Sequence, residues 1–303
     1  MRYWSGHWDL LRQKIPQFGI AEFRTGDNGP SNPHMKSIVR LPQAKGKSTM
    51  PVGVVSNAYR LAQHSEVADK CFEGIHASGI ETDDLKCELG LTELGEWMNL
   101  RIFFPEDYSH NPGDSEKLNL RLECFNSVDR SCSLMLLLGW YRLVCSNGQI
   151  IGKTKAELRD IHNKHMDLGR IPEIIVESLD FVQEDKTQLI EWENSKVTLR
   201  QLEHWIDNLL PKHWGKKASF RVYNICISGH DVEYENQFEP GTPTTKSVMQ
   251  LDRVPGSPEE VENLYDVSQA LSWVASRRTN PDERIKWQSQ IPGLIEKLAS
   301  ISA

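Results

Sequence analysis

The sequence predicts an α+β fold, in which helices pack on a central antiparallel sheet and the C-terminal part is helical. Three observations lead to this prediction. Residues 118–125 alternate between apolar and polar side chains, as a half-buried strand does. Residues 56–80 carry apolar side chains at helical spacing. The chain has 303 residues, which is enough to bury one large core or two modest ones.

Residues 52–104 predict a strand, a helix and a hairpin, in that order. Residues 52–56 are rich in valine, which favours a strand. The helix within 56–80 has Cys71 on its apolar face and a stop signal at Gly79. Residues 86–104 contain two apolar stretches on either side of the segment TELGE, the pattern of a hairpin.

The next part predicts a second hairpin and then helices. The alternating strand places Cys124 inward, and a turn at 126–131 leads to a return strand. Residues 153–168 predict a helix with a polar exterior, and Pro172 is suited to the first turn of the helix that follows.

The last part adds helices and one more strand. Thr198 and Gln201 have the spacing of a capping box, which predicts a helix start. The apolar residues of 218–228 predict a strand. The central sheet is therefore predicted from four segments: 52–56, 86–104, 118–140 and 218–228.

The same patterns predict the domain organisation. Residues 1–50 lack clear periodicity, and 24–36 are rich in proline, glycine and asparagine, so we expect an irregular N-terminal segment. Residues 51–255 are predicted to form the main α+β domain. Residues 256–303 are predicted to be a helical segment that packs on that domain.

The composition excludes some classes of protein. Hydrophobic residues make up 39% and charged residues 25% of the chain, as in an ordinary folded protein. The net charge of −7 argues against a polybasic nucleic-acid or membrane binder, but a local basic groove stays open. No stretch has the ~18 apolar residues of a membrane span, and no signal peptide is expected. The six cysteines form no C-x-x-C pair, which favours reduced thiols in the cytoplasm.

Cys145 is the residue on which an enzymatic function depends. A catalytic cysteine needs a nearby base that lowers its thiol pKa, and His162 or His165 follows in the sequence. A zinc site from Cys132, Cys145 and the two histidines is a second possibility, and a buried core thiol is a third. There is no phosphate-binding glycine loop and no G-x-S-x-G elbow. We assign no catalytic residue, metal or cofactor, and an enzyme stays the less favoured class.

Basic residues interleaved with aromatic ones indicate nucleic acid. Such residues hold single strands by neutralising phosphates and stacking on bases. Two segments, GKTKAELRDIHNKH and PKHWGKKASFRVY, have this composition. The predicted nucleic-acid-binding residues are Arg142, Lys153, Lys155, Lys164, Trp214, Lys216, Lys217, Arg221 and Tyr223.

Several of these segments resemble the phage/plasmid-like proteins of the domain of unknown function 932 family. The similar segments are PVGVVSNAYRLAQHSEV, LNLRLECFNSVDRSCSLMLLL, YRLVCSNG followed by a histidine, and NLYDVSQALSWVASRR. The resemblance covers about residues 51–275. The family turn usually reads Asn-Ser-His-Asp-Gly-Ser, whereas Val128 and Arg130 occupy its histidine and glycine positions here. A histidine-based reaction at this turn is therefore not expected, and Cys145 with Asn147 resembles a hinge.

The resemblance implies a mobile genetic element, either a phage or a plasmid, and a setting in the host-cell cytoplasm. We therefore expect a DNA-metabolism protein that binds single-stranded nucleic acid and anneals it as a homo-oligomer, as in recombination. The alternative is a mobile-element protein without enzymatic activity that inhibits or recruits a host protein through its acidic surface.

Overall fold

The computed structural model describes residues 1–24, 26, 29–42, 48–112, 117–142, 148–149, 158–160, 162, 165–237, 245–279 and 281–302. Its strands are β1 (Arg2–His7), β2 (Phe18–Arg24), β3 (Ser31–Arg40), β4 (Met50–Ser56), β5 (Lys86–Leu91), β6 (Trp97–Phe103), β7 (Ser109–His110), β8 (Leu118–Ser127), β9 (Leu134–Arg142), β10 (Gly148–Gln149), β11 (Leu158–Asp160), β12 (His230–Gln237) and β13 (Thr245–Arg253). Its helices are α1 (Trp8–Arg12), α2 (His64–Ala77), α3 (Arg170–Asp180), α4 (Val182–Asn194), α5 (Leu199–Asn208), α6 (Leu210–Ser228), α7 (Leu264–Ser276) and α8 (Pro281–Ala299). These helices and antiparallel sheets confirm the predicted α+β class.

The first of two compact units comprises Met1–Tyr108, Leu120–Leu138 and Thr154–Phe181. Its main sheet has the strand order β1-β5-β6-β8-β9, and β11 also pairs with β9. The antiparallel register places Leu89 opposite Leu100 and Leu100 opposite Cys124. All three side chains are fully buried, so an apolar row crosses the sheet. Both predicted hairpins and the inward position of Cys124 are thereby confirmed.

Helix α2 packs against α3 in the same unit. Cys71 and Ile75 lie on its buried face, and Gly79 follows its end with φ 80°. The predicted helix, its core cysteine and its stop are confirmed. The two helices approach closely because Gly74 has no side chain: a Cβ there would lie 2.8 Å from the Cα of Pro172.

A second, three-stranded antiparallel sheet has the order β2-β3-β4. Each of the three strands contributes one buried residue to a common core cluster. The cluster consists of Phe18, Ile38, Val55, Tyr59 and Val128. The prediction that residues 1–50 are irregular is therefore wrong, and 52–56 belongs to this sheet and not to the main one. Of the two prolines in 24–36, Pro33 lies within β3, and it is tolerated there because it falls at a shift in the β2–β3 register, where a ladder bond is not needed.

The second unit comprises Ser109–Asn119, Gly139–Lys153 and Val182–Ala303. Helix α6 packs against α5 and α7, and α7 packs against α8. Strands β12 and β13 form an antiparallel pair beside α6. Trp205, Val222 and Leu271 are fully buried in this core. The two units interleave along the chain and differ from the predicted division at residues 50 and 255.

Two predicted segments have a different secondary structure. Residues 218–228, predicted as a strand, belong to α6. Val222, Ile225 and Cys226 are buried there at helical spacing, and the buried small residues Ala218 and Ser219 complete that face. Within the predicted helix 153–168, the described part includes strand β11. Short apolar patterns do not separate helix from strand, and the neighbouring elements decide which one forms.

None of the helices among the described residues is both long enough and apolar enough to cross a membrane.

Candidate nucleic-acid interface

Helices α5 and α6 position the predicted residues of the second unit. The predicted capping box begins α5: Thr198 Oγ1 accepts from the Gln201 backbone nitrogen at 3.3 Å, and the Gln201 side chain accepts from the Thr198 nitrogen at 3.0 Å. Inside α6, Gly215 has φ 79° and ψ 162°, which interrupts the helical path. Glycine reaches this conformation without a Cβ clash. The interruption falls between a buried residue, Trp214, and an exposed one, Lys216.

Trp214 is a core residue. Its side chain is 5% exposed, and its ring stacks on that of Trp287 with centroids 4.6 Å apart and planes inclined by 13°. The indole nitrogen donates to Gln290 Oε1 at 2.9 Å. Both the ring face and the polar atom are therefore occupied within the unit. This corrects the prediction that Trp214 stacks on bases, since a base would have to displace Trp287.

Arg221 is held by an internal ion pair. Its guanidinium donates to both carboxylate oxygens of Asp231, at 2.9 and 2.5 Å. Trp273 Nε1 donates to the same carboxylate at 2.8 Å, and the Val232 backbone nitrogen at 2.7 Å. Burial alone would raise the pKa of Asp231, but the bonds and charge of Arg221 lower it below its ordinary value. The prediction that Arg221 tracks phosphates is corrected, because its charge is already neutralised.

Lys216 and Lys217 are exposed next to aromatic rings. Lys217 Nζ lies 5.5 Å from the centroid of the Tyr234 ring. The Tyr234 ring also contacts Phe220, at 5.9 Å between centroids, and Phe220 is 38% exposed. These four residues line a pocket of about 560 Å³, together with Ile206, Asp207, Pro211 and Ser219. We call it the α6 pocket. It combines two cations with an accessible aromatic pair.

Tyr223 lies on α6 outside the residues that line this pocket. Its hydroxyl donates to Glu203 Oε1 at 3.3 Å. Burial and the neighbouring Glu203 carboxylate raise the pKa of Tyr223 above its ordinary value. A phosphate is disfavoured next to that carboxylate, so Tyr223 is the weaker of the predicted stacking residues.

The sequence analysis missed Phe220 and Tyr234 as site residues. Phe220 lies within the basic segment PKHWGKKASFRVY, but a strand assignment for 218–228 gives it no helical neighbours. Tyr234 lies in the alternating segment VEYE, which is typical of a strand. Its contact with Phe220 joins strand β12 to helix α6, and no local sequence pattern indicates such a contact.

The remaining predicted contacts lie outside the described residues. Lys153, Lys155 and Lys164 are among them, as is the side chain of Arg142, although its backbone ends β9. Cys145 and Asn147 are also outside. Their roles stay predictions from the sequence.

The structure describes His162 and Cys132, two residues on which the enzyme and zinc alternatives depend. His162 is buried and stacks on Tyr59, with centroids 5.5 Å apart. Cys132 Sγ accepts from the indole nitrogen of Trp97. Among the described residues, no group of three His, Cys, Asp or Glu side chains is placed to hold a metal ion. We therefore assign no reaction to the described residues around Cys132 and His162.

Comparison with known proteins identifies the family. The family model described as domain of unknown function 932 matches residues 51–274, which is more than half of the chain. The chain belongs to this family. The resemblance noted in the sequence is thus confirmed over almost the same range. Comparison with curated proteins and with solved structures found no match.

Proposed function

We propose that this member of the family binds single-stranded nucleic acid through the α6 pocket. The observation that carries the proposal is the placement of Lys216 and Lys217 beside the Phe220–Tyr234 pair. Ammonium groups neutralise backbone phosphates, and an accessible aromatic ring stacks on a base without reading its identity. Asp207 in the same wall disfavours phosphates on its side and so orients the backbone toward the lysines.

A preference for single strands follows from the stacking. In a duplex, each base already stacks on its neighbours, so a protein ring gains access only to an unpaired base. One pocket contacts few nucleotides. Repetition of the pocket in a homo-oligomer would multiply the affinity for a long strand, because each further contact becomes intramolecular.

The biological setting is part of the proposal. A strand-binding oligomer suits a phage- or plasmid-encoded protein of DNA metabolism that anneals complementary strands in the cytoplasm of the host cell. Annealing consists of holding and releasing strands, which requires no cofactor.

The test is fluorescence anisotropy with labelled single- and double-stranded oligonucleotides across a salt series. We expect tight, salt-sensitive binding that prefers single strands. Lys216→Gln with Lys217→Gln should weaken binding and reduce the slope of log K against log salt by about 0.7 per lysine. Phe220→Ala should weaken binding about tenfold and leave that slope unchanged, because stacking releases no counterions.

The matched control is Lys286→Gln, which removes an exposed lysine of α8 outside the pocket. It should change the affinity for the oligonucleotide and the slope of log K against log salt only by the small amount that one distant charge contributes. If Lys286→Gln weakened binding as much per lysine as Lys216→Gln with Lys217→Gln does, net charge and not the α6 pocket would govern binding. Absence of binding at low salt would remove the proposal.

A second function of a different class is supported by the net charge of −7. An acidic surface resembles DNA to a host protein that binds DNA, and binding would inhibit or recruit that protein. Capture of a DNA-binding host protein by this chain, competed by DNA and combined with absent DNA binding by the chain itself, would favour it.

A further inference from the structure

A second pocket of about 560 Å³ lies in the first unit, beside the turn that joins β5 to β6. Strand β1, the segment after α1 and the end of β3 form the other walls. We call it the β5–β6 pocket. Its volume is in the range of sites that take small ligands in proteins. All of its walls belong to one compact unit.

Contacts behind the pocket hold its turn in place. The backbone oxygen of Gly95 lies 2.9 Å from Nε2 of the buried His64. Gly95 has φ 79°, and a Cβ on it would lie 2.5 Å from Pro16 Cγ, so only glycine fits there. Arg40 Nη1 donates to the backbone oxygen of Leu94 at 3.1 Å. The pocket is therefore formed before a ligand arrives, which lowers the entropic cost of binding.

The charge of the walls favours an anion. Arg2, Lys14 and Arg40 line the pocket, against one carboxylate, that of Glu93. Within the part of the chain that the structure describes, the side chains of Arg2 and Lys14 have no hydrogen-bond or ion-pair partner. Three cations around one concavity raise its positive potential, and this contrasts with the acidic balance of the whole chain.

The same walls contain groups that suit a nucleobase. The ring of Trp4 is half-buried and lines the pocket. Glu93 accepts hydrogen bonds from exocyclic amines, and Gln17 both donates and accepts, as base edges require. Arginine forms paired bonds with phosphate oxygens. We propose that the β5–β6 pocket binds a nucleoside monophosphate, with its phosphate at the cations and its base on Trp4. This proposal goes beyond strand binding and does not depend on the α6 pocket.

Isothermal titration calorimetry on the full chain tests the proposal. The probes are the four nucleoside 5′-monophosphates, ribose 5-phosphate and inorganic phosphate. We expect at least one nucleotide to bind about tenfold or more tightly than ribose 5-phosphate, because stacking adds to the phosphate contacts. Arg2→Gln with Lys14→Gln should weaken that nucleotide about tenfold or more, since each bond to a charged group is lost. Trp4→Leu should abolish its advantage over ribose 5-phosphate.

The matched control is Lys86→Gln, which removes an exposed lysine from the same sheet but outside the pocket. It should leave nucleotide affinity within about twofold. No binding of any nucleotide, equal binding of inorganic phosphate, or an equal effect of the control would each overturn the proposal. Lys216→Gln with Lys217→Gln should leave nucleotide affinity unchanged, so failure here is distinguishable from failure of strand binding. Circular dichroism of each variant excludes loss of folding as the cause.

Discussion

Each unit contains a buried titratable side chain. The one in the first unit is neutral, and the one in the second unit is ionised. In the first unit, His64 is fully buried, and its Nδ1 lies 2.9 Å from the Asn126 amide nitrogen. That amide nitrogen also donates to the backbone oxygen of Ala62 at 3.1 Å. Since the amide donates, Nδ1 must accept, and Nε2 carries the proton that is donated to Gly95. The imidazole is therefore neutral.

The centre of the second unit is ionised. Asp231 is fully buried and accepts from Arg221, Trp273 and a backbone amide. Every donor aims at the carboxylate, so its charged form is the stable one, and its pKa is lowered. Among the described residues, no carboxylate is hydrogen-bonded to the His64 imidazole. Burial therefore lowers the pKa of His64 to about 4, although the Gly95 carbonyl and the more distant Asp129 act in the opposite direction. A buried titratable group thus keeps its charge only where the fold supplies an opposite charge with hydrogen bonds.

The largest expected effect comes from removing the acceptor of the ionised centre. Asp231→Ala leaves Arg221 and the Trp273 nitrogen without an acceptor. We expect a loss of about 3 kcal/mol in the free energy of unfolding, because the Arg221 guanidinium, whose side chain is 23% exposed, and the Trp273 nitrogen are left unpaired in a partly buried site. Urea unfolding combined with hydrogen exchange of peptides from α6 and β12 measures it. The matched control, Glu259→Ala, removes an exposed carboxylate 3.7 Å from Arg253 and should cost at most about 0.5 kcal/mol.

Lowering the pH should change the contribution of His64 to stability at a higher pH than that of Asp231. The pKa of His64 is about 4 in the folded chain. In the unfolded chain it is about 6.5. Between these values the unfolded state binds more protons at His64, so the contribution of this residue to stability falls by up to about 3 kcal/mol as the pH is lowered from about 6.5 to 4. Asp185 acts in the opposite direction over the same range, because burial raises its pKa to about 7 in the folded chain. The lowered pKa of Asp231 stabilises the fold above the unfolded value of about 3.9 and loses that contribution below it.

Unfolding free energies measured across this pH range test the prediction. The variant His64→Gln removes this titrating group but keeps Asp185, so the difference in slope between the native chain and the variant between about pH 6.5 and 4 measures the contribution of His64. If the variant keeps the same slope as the native chain, another group is responsible and the assignment to His64 is wrong.

The smallest expected effect concerns the turn that follows Asn126. Arg130 has φ 69°, a left-handed conformation that is costly for a residue with a Cβ. Arg130→Gly should therefore raise the free energy of unfolding by about 0.5 kcal/mol, after the entropy gained by the unfolded chain is subtracted. Arg130→Ala keeps the strain and should bring no gain. Equal stability of both variants would show that the backbone strain is negligible.

Local patterns predicted the elements whose signals are short-range. The capping box at Thr198, the stop at Gly79 and the alternating strand before Asn126 depend on neighbours within a few residues. By contrast, the apolar residues of 218–228 fit a strand and a helix equally well, and packing against α5 and α7 favours the helix.

Sequence patterns alone predict the α+β class, the family, the start of α5 at Thr198, the end of α2 before Gly79, and the basic and aromatic composition of the segment around Lys216. Which of those side chains can reach a ligand depends on the folded structure. It buried Trp214 against Trp287, paired Arg221 with Asp231, and brought Tyr234 to Phe220. The physical reason is that availability depends on partners far away in the chain. A cation or a ring has the same local pattern whether its partner is solvent, a carboxylate or another ring.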